Sequence, residues 1–206
     1  MSKRDLILDA LQELLYEGKA GTASVMDIAR KAGIAKGGMY YYFKSKEEAL
    51  DALAYRQYEK VILNCKVTLD KSNDDALTKF KLLLYIYRNT IVEASVDDFL
   101  HQTQNAAIHQ KSMADIVLGL RPIVSDILKQ GNEEGVFTCE NCDNYAEVIL
   151  STLVFLFDKG VFTWSNEEVI SKIKSFSIFL ENGLCATKGS FSFLYQGWSN
   201  QKLTTT

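Results

Sequence analysis

The chain has 206 residues, enough for a small module joined to a larger one, and its 47% hydrophobic and 24% charged content is ordinary for a soluble globular protein. No run approaches the roughly 18 apolar residues of a membrane span, and the N-terminus has scattered acidic residues and no small-residue cleavage site, which argues against a signal or transit peptide. The net charge of −3 hides an asymmetry: residues 1–46 carry eight basic and five acidic side chains, against 15 and 21 in the rest.

These features predict a cytoplasmic protein without a membrane partner, whose four cysteines are thiols rather than bridges. A basic head on an acidic body is the sense expected of a nucleic-acid binder, although the imbalance is small.

Apolar residues recur at helical spacing almost throughout, with a single proline and hardly any strand pattern. Five Ser-x-x-Asp/Glu boxes mark helix starts: Ser2/Asp5, Ser24/Asp27, Ser45/Glu48, Ser95/Asp98 and Ser165/Glu168. The predicted fold class is all-α with about nine helices. The first spans about 3–17, the second 24–31, the third 35–42 and the fourth 45–69, where LDKSNDD breaks it. The fifth covers about 76–94 and is apolar nearly all round at Leu82–Tyr87. The sixth follows Ser95, and Gly119 and Pro122 punctuate the seventh, which ends near Gly131–Gly135. The eighth starts after Asp143 as its cap, and the ninth spans about 166–184. The tail from Cys185 has no clear period, but Phe191, Phe193, Leu194, Tyr195 and Trp198 predict that it docks.

Residues 22–50 carry the chemistry. Val25, Ile28, Ala29 and Ala32 share one face of the second helix, Gly33 supplies a turn and Ile34 points back inward, which is the layout of a helix-turn-helix. The four aromatics Tyr40, Tyr41, Tyr42 and Phe43 spread over about 300° of a helix and cannot all face a core. Met39 and Phe43 take the inward stripe. Lys36, Gly37, Tyr40 and Tyr41 are left outside. Gly37 and Gly38 cost about 1 kcal/mol each relative to alanine in a helix, and what they offer in return is close backbone approach to a partner. A short, basic, hydroxyl-rich helix with little side-chain bulk suits a DNA major groove.

Ser24, Ile28, Ala29, Ala32, Gly33, Ile34, Gly37, Met39, Tyr40, Tyr42, Phe43, Lys46, Glu47 and Leu50 stand where the TetR-type repressors carry their N-terminal motif. The chain resembles that family over about residues 4–50. The resemblance implies a helix-turn-helix DNA-binding domain over 1–48 and a helical effector-binding and dimerisation domain over 49–206. It implies that Lys36 and Gly37 meet base edges, with Gly38 beside them. Ser24, Tyr40, Tyr41, Tyr42 and Lys46 would hold phosphates. Two residues depart from the motif: Ala35 replaces a usual serine at the start of the third helix, and Gly38 replaces a usual threonine or serine.

By the same resemblance the protein is a repressor that binds a palindromic double-stranded operator as a homodimer. The interface expected from the eighth and ninth helices uses Ile149, Leu150, Leu153, Phe157, Ile173, Phe176 and Leu180. An apolar or cationic small-molecule effector is expected among the fourth to eighth helices, near Tyr58, Ile62, Tyr85, Asn89, Gln104, His109 and Phe155. No catalytic motif, metal site or cofactor is expected: there is no phosphate-binding glycine loop, HExxH or GxSxG. Two alternatives stay open. Cys139 and Cys142 could make the protein redox- or metal-responsive, or the DNA-binding dimer could lack a small-molecule effector.

Overall fold

The computed structural model describes residues 1–89 and 94–199. Among them are ten α-helices and no strand: α1 (Lys3–Tyr16), α2 (Val25–Lys31), α3 (Lys36–Tyr42), α4 (Lys46–Asp70), α5 (Ala76–Asn89), α6 (Ala94–Leu100), α7 (Ala106–Glu133), α8 (Cys142–Phe155), α9 (Asn166–Gly183) and α10 (Phe193–Ser199), with a 3-10 turn at Thr103–Asn105. The all-α reading holds. The tenth helix lies in the tail, where two turns are too few to show a period. Positions 90–93, at the predicted end of the fifth helix, lie outside the described residues.

The capping chemistry explains most helix starts. At Ser2, Ser24 and Ser165 the serine oxygen accepts the N–H of the third helical residue, and that residue's carboxylate accepts the cap N–H. At Ser45 half of the box forms: Glu48 N–H donates to Ser45 Oγ at 3.1 Å, while the Glu48 carboxylate takes the N–H of Lys44 instead. Two predicted caps need correction. Ser95 sits inside α6 with its hydroxyl buried and unbonded. Asn141, not Asp143, caps α8, accepting the N–H of Asn144 at 3.2 Å. The Asp143 carboxylate accepts a hydrogen bond from Ser125 instead, which holds it below its ordinary pKa.

The chain forms two compact units: Met1–Val61 with Thr90–Ile116, and Ile62–Asn89 with Val117–Thr206. In the first, α1 packs on α2 and α6, and α2 packs on α3. Ile7, Leu8, Leu11, Ile28 and Met39 are fully buried there. Arg56 of α4 ties to α1 through Asp9 Oδ1 at 2.7 Å and Gln12 Oε1 at 2.8 Å.

The second unit is organised around an aromatic cluster. Phe80 meets Phe191 edge to face at 5.6 Å, and Phe137 stacks on Phe191 at 5.7 Å. Phe191 and Leu194 are fully buried, each worth about 1.5–3 kcal/mol in transfer free energy. Glu181 accepts the Phe191 N–H at 3.1 Å and so fixes the tail to α9. The tail docks. Gly131 lets Phe137 lie flat against α7, because a Cβ there would fall inside the phenylalanine ring. Helix α7 continues past Gly119 and Pro122 rather than stopping at them.

Candidate nucleic-acid interface

The helix-turn-helix is closed by backbone bonds at one special residue. Gly33 has φ +68°, the left-handed region, where a Cβ costs about 1–2 kcal/mol. Its N–H donates to Arg30 O at 3.1 Å, and the Ile34 N–H reaches back to Ala29 O at 2.9 Å. That paired closure is a Schellman motif, and it points the chain into α3.

Charges clamp α2 to α1. The Lys31 ammonium lies 3.0 Å from a Glu13 oxygen and 2.8 Å from a Glu17 oxygen, and Lys19 adds a contact to Glu17 at 2.9 Å. The hydrogen bond from Lys31, followed by that from Lys19, pulls the Glu17 carboxyl down to a pKa of about 2.

On α3, Met39 is fully buried and Phe43 is 3% exposed, so both face the core as their spacing predicts. Arg4 lies over the Phe43 ring, 5.4 Å from its centroid. Tyr40 is 52% and Tyr41 81% exposed. Lys36 and Gly37 are exposed, and Gly38 and Tyr42 are half-buried. Tyr42 meets Tyr41 edge to face at 4.9 Å. A Cβ on Gly37 would meet nothing within 4 Å, whereas one on Gly38 would touch Ile34. Ala35 begins α3 without a side-chain cap.

Two predicted phosphate ligands have structural duties of their own. The Ser24 hydroxyl donates to Asp27 Oδ2 at 2.7 Å, and its N–H donates to the same oxygen at 2.9 Å. Ser24 thus acts as a helix cap, with both donors already used. The Lys46 ammonium donates to Gly21 O at 2.7 Å and Ala23 O at 3.0 Å, pinning the α1–α2 loop to the start of α4. An ammonium has three protons, so one remains for an anion. Nothing in the spacing of residues 21–46 signals this tie.

Residues 7–53 match the bacterial regulatory proteins of the tetR family, and residues 89–179 match the tetracyclin repressor-like C-terminal domain. The fatty acid metabolism regulator protein of Bacillus subtilis (strain 168) is 30% identical over 135 residues, covering 63% of this chain and 68% of that protein. The chain belongs to the TetR family of transcriptional regulators. Its fold is similar to that of the fatty acid degradation regulator FadR from Bacillus halodurans, with a TM-score of 0.58 and 19% identity over 98% of this chain and 97% of that one. It is also similar to RolR in complex with resorcinol, with a TM-score of 0.62 and 17% identity over 98% and 95% of the two chains.

In this TetR-family regulator the predicted effector residues are dispersed. Tyr58, Gln104 and His109 belong to the first unit, and Ile62, Tyr85, Asn89 and Phe155 to the second. Tyr58 and His109 are buried, Ile62 is half-buried, and Tyr85, Asn89, Gln104 and Phe155 are exposed. Tyr85 is 65% exposed, so α5 is not buried all round. Only Ile62 lines the cavity of about 250 Å³ within the second unit, together with Lys66, Leu69, Asp70, Lys79, Gly119, Pro122, Ile123, Asp126, Ile127 and Gln130. The signal that could have located it is Gly119. A Cβ there would collide with the tip of the Ile62 side chain, so the glycine leaves room for that side chain beside the cavity.

Most of the predicted dimer stripe is covered within the subunit, and two of its residues, Ile149 and Leu180, also line an apolar groove on α8 and α9. Ile149, Leu150, Ile173, Phe176 and Leu180 are all buried within the subunit, and Leu153 and Phe157 are half-buried. The apolar side chains that α8 and α9 expose are Tyr145, Val148, Phe155, Ile178 and Phe179. Both faces of α8 are apolar, and periodicity alone ranks the larger residues as the interface.

Cys139 and Cys142 are buried. Asn132 holds the Cys139 backbone at both ends, accepting its N–H at 2.9 Å and donating to its carbonyl at 2.7 Å. Burial, then the neighbouring Cys142 thiol, pushes Cys139 up to about 12. A thiol shifted in this direction stays protonated near neutral pH, which is the opposite of what activates a nucleophilic cysteine.

Proposed function

We propose that this regulator is a repressor that binds a palindromic operator as a homodimer and leaves it when a small molecule binds. In this reading residues 1–48 hold the DNA and residues 49–206 dimerise and take the effector. The observation that carries it is the outer surface of α3, where Lys36, bare Gly37, Tyr40 and Tyr41 stand exposed on a helix locked by the Gly33 turn. An ammonium and two phenols over uncovered backbone suit base edges and phosphates at short range.

Dimerisation is supported by the exposed face of α8 and α9. Tyr145, Val148 and Phe179 border an apolar groove of about 290 Å³, and exposed apolar patches of this kind mark interaction surfaces. A two-fold pairing of identical faces places two α3 helices on two half-sites. The effector site is assigned to the cavity of the second unit. Its apolar walls of Ile62, Leu69, Ile123 and Ile127 favour an apolar molecule, while the lining carboxylates Asp70 and Asp126 are matched by the lining ammoniums Lys66 and Lys79. Helix α4 runs unbroken from Lys46 to Asp70, so the same helix carries both a phosphate-binding candidate and part of that lining.

The test is selection of duplexes from a random DNA library by the purified full-length protein. Inverted repeats whose half-sites lie about one helical turn, 10–10.5 bp, apart are the expected product. Enrichment of single half-sites, or of no sequence at all, would reject the dimeric operator reading.

A further inference from the structure

The charges around the cavity of the second unit are equal in number, but they do not all pair. Lys66 and Asp70 meet one turn apart on α4 at 3.1 Å, and both side chains are mostly exposed. Asp126 meets Lys129 on α7 at 3.3 Å, again on the exposed surface. Such pairs are solvated and neutralise each other. Lys79 of α5 is different. It lines the same cavity, is half-buried, and its ammonium donates to a neutral partner, Gln130 Oε1, at 2.8 Å. Among the described residues it joins no ion pair.

The contact to Gln130 is held from behind. Gln130 Nε2 donates to Asp74 O at 2.9 Å and to a Glu134 carboxylate oxygen at 2.5 Å. That uses both amide protons and leaves the amide oxygen for Lys79. The other Glu134 oxygen accepts the N–H of Ala76, the first residue of α5, at 2.9 Å. The start of α5 and the end of α7 are thus tied together, and Lys79 is positioned by the same network. The Glu134 carboxylate is spent on Gln130 and Ala76. An ammonium has three protons, so two remain on Lys79. A positioned cation beside apolar walls, with two donors to spare and no carboxylate paired to it, is matched by a ligand that brings one.

Resting on the assignment of this cavity to the effector, we propose that the effector is an apolar molecule carrying a single carboxylate. Its body lies against Ile62, Leu69, Ile123 and Ile127, and its carboxylate accepts from Lys79. A ligand that covers the half-buried ammonium excludes water from it and strengthens the charge-assisted bond. An amide of the same shape makes only the weaker neutral contact, and an ammonium ligand meets a like charge.

The test is isothermal titration calorimetry of the full-length protein with hexanoate and benzoate, each beside its primary amide, and with hexylammonium. At least one carboxylate is expected to bind about tenfold or more tightly than its amide, and hexylammonium more weakly than either. Lys79→Met keeps the length of the side chain and removes its charge. It should bring the carboxylate down to the affinity of the amide, with helicity by circular dichroism unchanged. Ile62→Phe, which puts a larger side chain in the cavity wall, should weaken carboxylate and amide alike at parental helicity. Equal affinity of carboxylate and amide, or a preference that survives Lys79→Met, would overturn the carboxylate class and leave the cavity as the effector site. Binding that Ile62→Phe does not touch would overturn both, because the probes then sit elsewhere. No binding by either carboxylate would overturn the proposal as well.

Discussion

Lys46 Nζ sits 2.7 Å from the carbonyl oxygen of Gly21, twenty-five residues earlier in the chain. The same ammonium that the family motif assigns to a DNA phosphate therefore holds the loop that positions α2. Lys46→Ala should act twice. The slope of log affinity against log salt should fall by about one, the signature of one lost phosphate contact. Stability should also drop by about 1–2 kcal/mol, since hydrogen bonds from a charged donor are lost. A variant that melts earlier but keeps the parental salt slope would leave Lys46 with the structural role alone.

Gly37 should separate stability from function. It is exposed in a helix and its added Cβ would meet nothing. Gly37→Ala is expected to raise stability by up to about 1 kcal/mol. The same methyl would stand between the backbone and the groove, weakening specific DNA binding by about 1–3 kcal/mol. Equal or tighter DNA binding by the stabilised variant would remove α3 from the groove.

Phe179, 63% exposed on α9 beside the apolar groove, is the residue to charge when testing assembly. Phe179→Glu should leave the fold intact, because the side chain lies outside the subunit core, but should place an unpaired carboxylate in the interface. Light scattering is expected to report a monomer at micromolar concentration. Leu180, its neighbour, is buried, and Leu180→Glu should instead unfold the protein. A dimeric Phe179→Glu protein would move the interface to another face.

Cys185 ends α9 in the left-handed region, with φ +50°. Its N–H donates to Asn182 O at 3.3 Å and the Ala186 N–H reaches Glu181 O at 2.9 Å, so it occupies the position that Gly33 fills after α2. Glycine adopts that conformation without steric cost. Cys185→Gly is expected to stabilise the protein by about 0.5–1 kcal/mol, read as a higher urea midpoint at unchanged m-value. A lower midpoint would mean that the exposed thiol makes a contact worth more than the strain.

Glu17 links stability of the DNA-binding helices to pH. Its carboxyl, held at about 2 by Lys31 and Lys19 against an ordinary 4.5, stabilises the folded state fully above pH 4.5. That contribution fades as pH falls toward 2, because the unfolded state then binds the proton first. Replacing Glu17 with Gln should therefore lower stability at neutral pH, and the difference from the parent should vanish near pH 2. A difference that is constant across this range would assign the effect to packing.

The helix-turn-helix was legible in the sequence because its determinants are local. Ser24, Asp27, Gly33, Met39 and Phe43 act within one or two turns of their own backbone, so spacing along the chain translates directly into geometry. The same holds for the capping boxes at Ser2 and Ser165, and for the missing cap at Ala35. Ser95 failed as a cap, and Asn141 displaced Asp143, because where a helix starts depends on which partners surround it in the fold. Which face of α8 is covered was decided by tertiary structure alone: with apolar residues on both sides, only burial separates Ile149 from Val148. Likewise the cavity at Gly119, the tie from Lys46 to Gly21 and the tie from Lys79 to Gln130 each join residues that no local period connects. Local bonding fixes a helix and those ends whose cap partners lie within one turn, whereas the other ends and the pairing between helices depend on distances that exist only once the chain has folded.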